Sequence, residues 1–448
     1  MSRGGGLVAH LIQSKVKHTH RTPKVGTSMD RLVIRGGRRI EGSVQVCGAK
    51  NAALPQIAAS LLSAEPLELG NIPDVTDVNT MLSLMGEFGV VATRGAGRVL
   101  VLDASGARNA QAPYELVRRM RASILVLAPL LARFGSACVS LPGGCAIGAR
   151  PIDQHLKALE LLGAEIEMEG GYINARTSRE GLRGNRVVLA SPSVGATETA
   201  LMAAVLARGE SEILNAARDP EIHDLALCLV AMGARIQGVG THRILVQGVE
   251  ALHRARHELI ADRIEAGTYA IAAAITGGHL EIFGARLEHL GAVGAVLESA
   301  GVQLWPTDRG LMVVRSGSLR SVDISTEPYP GFPTDLQAQF MALMTIASGA
   351  SVIRETVFES RFMHVPELGR LGANISLQGS TALVRGVEQL HGAEVMATDL
   401  RASVSLVLAA LVADGETTVN RVYHLDRGYE ALDRKLVQCG ADIRRVAG

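Results

Sequence analysis

An α/β protein of two domains, each built from three copies of one strand-helix unit, is what this 448-residue sequence predicts. The first reason is length, which exceeds what one hydrophobic core ordinarily organises. The second is a repeat. The phrases "LMGEFGVVA", "LELLGAEIEM", "LVAMGARIQG", "LESAGVQL", "LGRLGANISL" and "LVQCGADIRR" each end an apolar helix on a glycine and start a strand. Those glycines, Gly89, Gly163, Gly233, Gly301, Gly372 and Gly440, lie 68 to 74 residues apart. A glycine there gives the left-handed helix stop, and the Val or Ile beyond it opens a strand. The third is a more apolar helix in every copy: "NAALPQIAASLLSAE", "MRASILVLAPLLARFG", "GATETALMAAVLARG", "EAGTYAIAAAITGG", "TDLQAQFMALMTIASG" and "TDLRASVSLVLAALVADG". Apolar nearly all round and rich in small residues, these helices belong inside, with sheets around them.

Taken in chain order, residues 1–28 stand apart. They are basic, with Gly and Ser interspersed, and their one apolar stretch, Leu7 to Ile12, is broken by His10. The expectation is a disordered extension, or an over-long gene start with Met29 as the true first residue. The repeats follow, each reading strand, buried helix, strand, outer helix, strand, with short strands such as "ACVSL", "SEILNA", "LEIFGA" and "SVIRETV" after the buried helices. The join between the third and fourth copies is expected near "HRARHELIADRIE", His253 to Glu265. The longest apolar run, "ILVLAPLLA" from Ile124, stops at Arg133, short of a membrane span.

Composition excludes several classes. Lys+Arg 45 against Asp+Glu 44 gives a net charge of +1, so no general polyanion-binding surface is expected. With 3% aromatic residues the chain lacks the rings of a single-stranded nucleic-acid platform. The cysteines Cys47, Cys138, Cys145, Cys228 and Cys439 are odd in number and scattered, which reads as reduced thiols in a cytoplasm. P-loop and Rossmann glycine motifs are absent, and no ligand cluster calls for a metal.

The residues that carry chemistry are few. In "LPGGCAIGARPIDQHL" (Leu141 to Leu156), Cys145 follows a glycine pair on a loop with unusual backbone freedom, and Arg150 lies five residues on. The plainer reading is a turn in which the thiol packs. Lys50 and Asn51 open the first buried helix, where free N–H groups and a cation suit an anion, although a solvated lysine would look the same. Arg121 and Arg401 head otherwise apolar helices, a costly place unless a carboxylate or phosphate meets them. Structural pairing is the main rival for Arg401. Asp335 and Asp399 follow threonines at helix starts; capping fits Asp399, whereas Asp335, after the irregular "YPGFP", suits a cleft. His155 and His364 read equally as satisfied polar residues or as acid-base groups. Lys50, Arg121, Arg150, Arg361 and Arg427 come from five different repeats, and as a set they suit a small polyanion.

Eight segments in order, "GAKNAALP", "MRASI", "PGGCAIGARPIDQHL", "SVGATE", "FPTDLQAQF", "ESRFMHVPEL", "MATDLRAS" and "DRGYE", give the chain from Met29 onward a pattern that resembles the enolpyruvyl transferases. Within that family the likeness is to the branch that uses UDP-N-acetylglucosamine at the first committed step of peptidoglycan synthesis. The resemblance implies a two-domain inside-out α/β barrel, three βαβαββ-type repeats per domain, with the active site in the interdomain cleft. It implies a first domain of residues 50–259 and a second of 29–49 plus 260–448. It implies phosphoenolpyruvate and UDP-N-acetylglucosamine as substrates, no cofactor, and no nucleic-acid partner. By the same resemblance Cys145 is proton donor and covalent-adduct site, and Asp335 the base. Lys50, Asn51, Arg150 and Arg427 hold phosphoenolpyruvate. Arg121, Arg150, Pro151, Ile152, Asp153, Gln154, Ser193, Val194, Gly195, Asp335 and Val357 line the sugar-nucleotide site. Ser191-Pro192 stands where a lysine occurs in some relatives. The shikimate-pathway enzyme of the same fold lacks a loop like "PGGCAIGARP", and an idle sugar-nucleotide-binding paralogue has no reason to keep Lys50, Cys145, Asp335 and Arg427 together.

Overall fold

The computed structural model describes residues 30–108, 111–142 and 152–448; residues 1–28 and the loop residues Cys145, Arg150 and Pro151 lie outside the described residues. Six four-stranded sheets follow one plan. In the second unit Gln111–Ala112 runs parallel to Ser136–Ser140, which pairs antiparallel with Tyr172–Arg176, and Glu165–Glu169 completes the sheet. Three units borrow a strand from elsewhere in the chain. Ala255–Glu258 returns to lie parallel to Leu67–Gly70, and Glu41–Gln45 lies parallel to His279–Phe283. Arg31–Arg35 inserts between Glu416–Asn420 and Asp442–Val446, antiparallel to both. Each group of three units therefore closes on itself.

The helices follow the same order. The first three units hold α1 (Lys50–Ala59) and α2 (Thr76–Glu87); α3 (Tyr114–Val117), α4 (Leu127–Phe134) and α5 (Asp153–Leu161); α6 (Val194–Ala204) and α7 (Pro220–Ala231). The second three hold α8 (Arg263–Thr276) and α9 (Ala292–Ser299); α10 (Gln337–Met344) and α11 (Val365–Arg370); α12 (Ser403–Ala410) and α13 (Leu432–Gln438). Buried apolar residues form two clusters. One contains α1, α4 and α6; the other contains α8, α10 and α12 together with Leu32–Val46. We refer to them as the first and second lobes. Small residues let the inner helices approach: a Cβ on Gly267 of α8 would lie 2.5 Å from Leu336 Cδ1. All six repeat glycines have positive φ, from 84° to 105°, the left-handed stop that the pattern requires.

Two of the inner helices start differently from the sequence expectation. Arg121–Val126 and Thr334–Leu336 are 3₁₀ turns leading into α4 and α10. Pro129 has no N–H to offer the Leu125 carbonyl, which removes one α-type bond there. At the second site the Asp335 carbonyl accepts from Gln339 Nε2 at 2.8 Å, a side chain entering the ladder. Among the described residues no helix is long and apolar enough to cross a membrane.

The chain crosses between lobes twice, side by side. Gly48 and Ala261 form an antiparallel bridge, flanked by Ala49 N–H to Ile260 O (2.8 Å) and Asp262 N–H to Cys47 O (2.8 Å). A Cβ on Gly48 would sit 1.8 Å from the Asn71 carbonyl oxygen. Gly86, exposed near the end of α2, has nothing within 4 Å of its virtual Cβ. Gly86→Ala should therefore raise the melting temperature through helix propensity, a gain of roughly 0.5–1 kcal/mol. Gly48→Ala should lower it by driving a Cβ into the Asn71 carbonyl beside the crossings. Equal shifts in thermal unfolding for the two variants would contradict this account of the crossings.

Candidate functional site

The first turns of α1, α8, α10 and α12 meet where the lobes touch, and they bring charge with them. Lys50, the first residue of α1, is buried, with its ammonium 3.2 Å from Asp77 Oδ2. Asp77 lies in the first turn of α2, and its other oxygen accepts from Arg427 Nε of the second lobe at 2.9 Å. One carboxylate thus holds two cations. Burial opposes its charge, but Lys50 and Arg427 prevail and keep the Asp77 pKa below the usual carboxylate value. Burial pulls Lys50 below the ordinary lysine value, against the attraction of Asp77.

Asp335 is a second carboxylate between cations. Arg361 Nη2 is 2.7 Å from Oδ1 and Arg401 Nε is 3.5 Å from Oδ2, while Asn51 Nδ2 of the first lobe reaches Oδ2 at 3.5 Å. Burial would raise this carboxyl, yet Arg361 and Arg401 outweigh it and hold Asp335 far below the usual range. Asp262 joins the two groups. It caps α8 by accepting from Ile264 and Glu265 N–H, accepts from Lys50 N–H at 3.3 Å, and lies 3.7 Å from Arg401 Nη2. The fully buried Arg401 thus meets two carboxylates, so the structural-pairing reading accounts for it. Asp399 accepts from Arg401 and Ala402 N–H at 2.7 and 2.8 Å, a cap.

Val357, exposed at the surface, connects to this centre through its own loop. Its N–H donates to Glu355 Oε1, Glu355 Oε2 accepts from Thr334 Oγ1 at 2.9 Å, and Thr334 Oγ1 accepts from Arg361 Nη1 at 2.8 Å. The remaining sugar-site candidates lie in the first lobe. Gln154 exchanges hydrogen bonds with the side chain and N–H of Ser191, which joins Ile152, Asp153 and Gln154 to the turn before α6. Ser193 caps α6 through Ala196 N–H, Val194 is exposed, and a Cβ on Gly195 would lie 2.7 Å from the His155 ring. The 3₁₀ turn opened by Arg121 packs against α1, the Lys50 helix, and against α6.

The cation set comes with carboxylate partners that the sequence does not name: Lys50 and Arg427 share Asp77, and Arg361 holds Asp335. Composition gives charges but not their partners, which is why the pairing escaped the sequence. Of the two readings left open for His364, the structure does not support a satisfied polar residue. His364 is fully buried, neither ring nitrogen has a hydrogen-bond partner among the described residues, and burial lowers its pKa to about 4, keeping it neutral. Sequence reasoning also missed Asp77 and Asp262. Each is an acid at a helix start, where capping and the helix dipole are the ordinary explanation.

Known proteins resemble this chain in sequence and in fold. The family model described as EPSP synthase (3-phosphoshikimate 1-carboxyvinyltransferase) matches residues 34–436. The chain is 67% identical over 419 residues to UDP-N-acetylglucosamine 1-carboxyvinyltransferase 2 of Mesorhizobium japonicum, covering 94% of this chain and 100% of the relative. It is 59% identical over 420 residues to UDP-N-acetylglucosamine 1-carboxyvinyltransferase of Gluconacetobacter diazotrophicus, covering 93% and 100%. Among solved structures, the enolpyruvyl transferase NikO from Streptomyces tendae superposes with a TM-score of 0.84 at 28% identity over 94% of this chain and 100% of that one. EPSP synthase from Acinetobacter baumannii, at 0.73 and 18% identity over 94% and 100%, shares the fold. By this match along nearly its whole length, the chain belongs to the enolpyruvyl transferase family.

Proposed function

We propose that the protein transfers the enolpyruvyl group of phosphoenolpyruvate to the 3'-hydroxyl of UDP-N-acetylglucosamine, releasing phosphate, the first committed step of peptidoglycan synthesis. The observation that carries this reading is the identity of 67% along 94% of the chain to a relative named for that activity. The charged centre suits the chemistry. Phosphoenolpyruvate brings a phosphate and a carboxylate, and Lys50, Asn51 and Arg427 at the lobe boundary, with Arg150 of the loop, supply donors for both. The anion would take over cations that Asp77 holds in its absence. UDP-N-acetylglucosamine would lie along Arg121, Arg150 to Gln154 and Ser193 to Gly195, reaching Asp335 and Val357. Phosphoenolpyruvate is a co-substrate, and the reaction calls for no cofactor.

The steps balance as addition and elimination. The 3'-oxygen forms a bond to C2 of phosphoenolpyruvate, Asp335 takes the hydroxyl proton, and Cys145 donates a proton to C3. The ketal then collapses: C3 returns its proton to the Cys145 thiolate, the C2–O bond to phosphate breaks, and the phosphate leaves with the proton held by Asp335. Between its two arginines Asp335 is a weak base at rest. An incoming hydroxyl that displaces the longer contact, Arg401 Nε at 3.5 Å, restores basicity when the proton must move. The Cys145 thiol is also the site proposed for a covalent phosphothioketal with phosphoenolpyruvate.

Phosphate release from phosphoenolpyruvate tests the reaction. It should depend on UDP-N-acetylglucosamine and not occur with shikimate 3-phosphate; turnover with the latter alone would overturn the acceptor. A phosphonate epoxide that mimics phosphoenolpyruvate, such as fosfomycin, tests the thiol. Burial pushes up the thiols of Cys47, Cys138, Cys228 and Cys439, which makes them poor nucleophiles. Cys145 should carry the single adduct by mass spectrometry, formed faster with UDP-N-acetylglucosamine bound, and Cys145→Asp should resist alkylation while keeping some turnover. An adduct on another cysteine, with Cys145 unmodified, would remove the loop thiol from the mechanism.

A further inference from the structure

The segment Arg427 to Glu430 joins the lobes at two points of opposite polarity. Arg427 places its cation on Asp77 of the first lobe. Three residues on, Glu430 places its carboxylate on first-lobe donors: Arg98 Nη2 at 2.7 Å on Oε1 and Asp74 N–H at 2.8 Å on Oε2. Asp74 and Asp77 are themselves three residues apart, so two short segments are pinned to each other at both ends. The polarity fixes the register, because a slip that brought Glu430 toward Asp77 would set carboxylate against carboxylate.

This segment needs such a pin. Arg427 ends a 3₁₀ turn (Val422–Arg427), and Ala431 opens α13 from a left-handed conformation at φ 50°, so no continuous helix fixes the residues between. Tyr429, between the pins, is buried and packs under the Arg401 guanidinium, with its hydroxyl 3.0 Å from Thr268 Oγ1 and 3.2 Å from Gln339 Nε2. Those contacts hold the segment to the second lobe. Among the described residues, Arg427 and Glu430 supply the side-chain hydrogen bonds that hold it to the first. Arg98 is committed from the other side: its backbone is left-handed at φ 65° and its carbonyl accepts from Ile72 N–H at 3.0 Å.

We propose that Glu430, held by Arg98 and the Asp74 N–H, is a positioning residue that sets where Arg427 stands beside Lys50, and thereby governs capture of the phosphate-bearing substrate. This rests on the phosphoenolpyruvate reading above. Glu430 itself touches no reacting atom. Loss of its charge releases Arg427 from its register without removing any group of the sugar-nucleotide side.

Steady-state kinetics and calorimetry on Glu430→Gln and Arg98→Met test this. In each variant the KM for phosphoenolpyruvate should rise about tenfold, with the KM for UDP-N-acetylglucosamine within about twofold of the parent. The double variant should be no worse than either single one, because both break the same pin. Glu430→Asp should recover part of the loss. Inorganic phosphate affinity, measured by calorimetry on the same proteins, should fall about as much as that for phosphoenolpyruvate. That readout does not depend on the acceptor: a parent protein without turnover sinks the functional reading, and phosphate binding still decides the role of Glu430. Unchanged phosphate affinity in Glu430→Gln, or equal rises in both KM values with a lowered melting temperature, would overturn the proposal.

Discussion

A carboxylate buried between two cations, Asp77 with Lys50 and Arg427, is the constraint on which the rest of this structure depends. Neither Lys50 nor Asp77 is tolerable there alone: their side chains are 9% and 5% exposed, and removing one partner from such a pair typically costs about 3–5 kcal/mol. Because Arg427 arrives from the second lobe, the second oxygen of the buried Asp77 carboxylate gains its cation only when the lobes meet. Arg263 makes the same demand in reverse, reaching from α8 to Asp219 at 2.9 Å and Glu221 at 3.0 Å of the first lobe. Buried charge is weak evidence for stability but a strict condition on geometry, and here it specifies how the halves face each other.

The fold explains why charge collects at this place. Inner helices that are largely apolar along their sides gather most of this charge at their starts, where N–H groups are unsatisfied and the dipole is positive. Asp262 shows the consequence. One side chain satisfies two N–H groups of α8 and one of α1 while facing Arg401. Strands borrowed across the sequence, Arg31–Arg35 and Ala255–Glu258, close each lobe, so both crossings fall together at Gly48 and Ala261, close to these helix starts.

The repeat was legible because its markers are physical requirements. Positive φ admits little but glycine, and a helix surrounded by other elements must be apolar on every side. The borrowed strands were not legible, since "RLVIR" and "ARHE" have strand character but nothing that names a partner sheet. The 3₁₀ entries at Arg121 and Thr334 depended on where carbonyls find donors, which periodicity does not report. At the centre, motifs brought Lys50, Asn51, Asp335 and Arg427 to notice. They did not reveal that Asp77 pairs with two of them, because an acid in the first turn of a helix satisfies local chemistry wherever it occurs.

The account holds that Asp77 occupies Lys50 and Arg427 until an anion takes them. Calorimetric titration of inorganic phosphate into the parent protein and into Asp77→Asn measures this directly. Asparagine keeps the shape and a hydrogen-bonding oxygen but drops the competing charge. Phosphate should bind the variant more tightly, by about tenfold, the equivalent of 1.4 kcal/mol. The ligand-free variant should melt lower and regain stability as phosphate is added. Equal or weaker phosphate binding by Asp77→Asn would contradict the claim that this carboxylate stands in for the substrate anion.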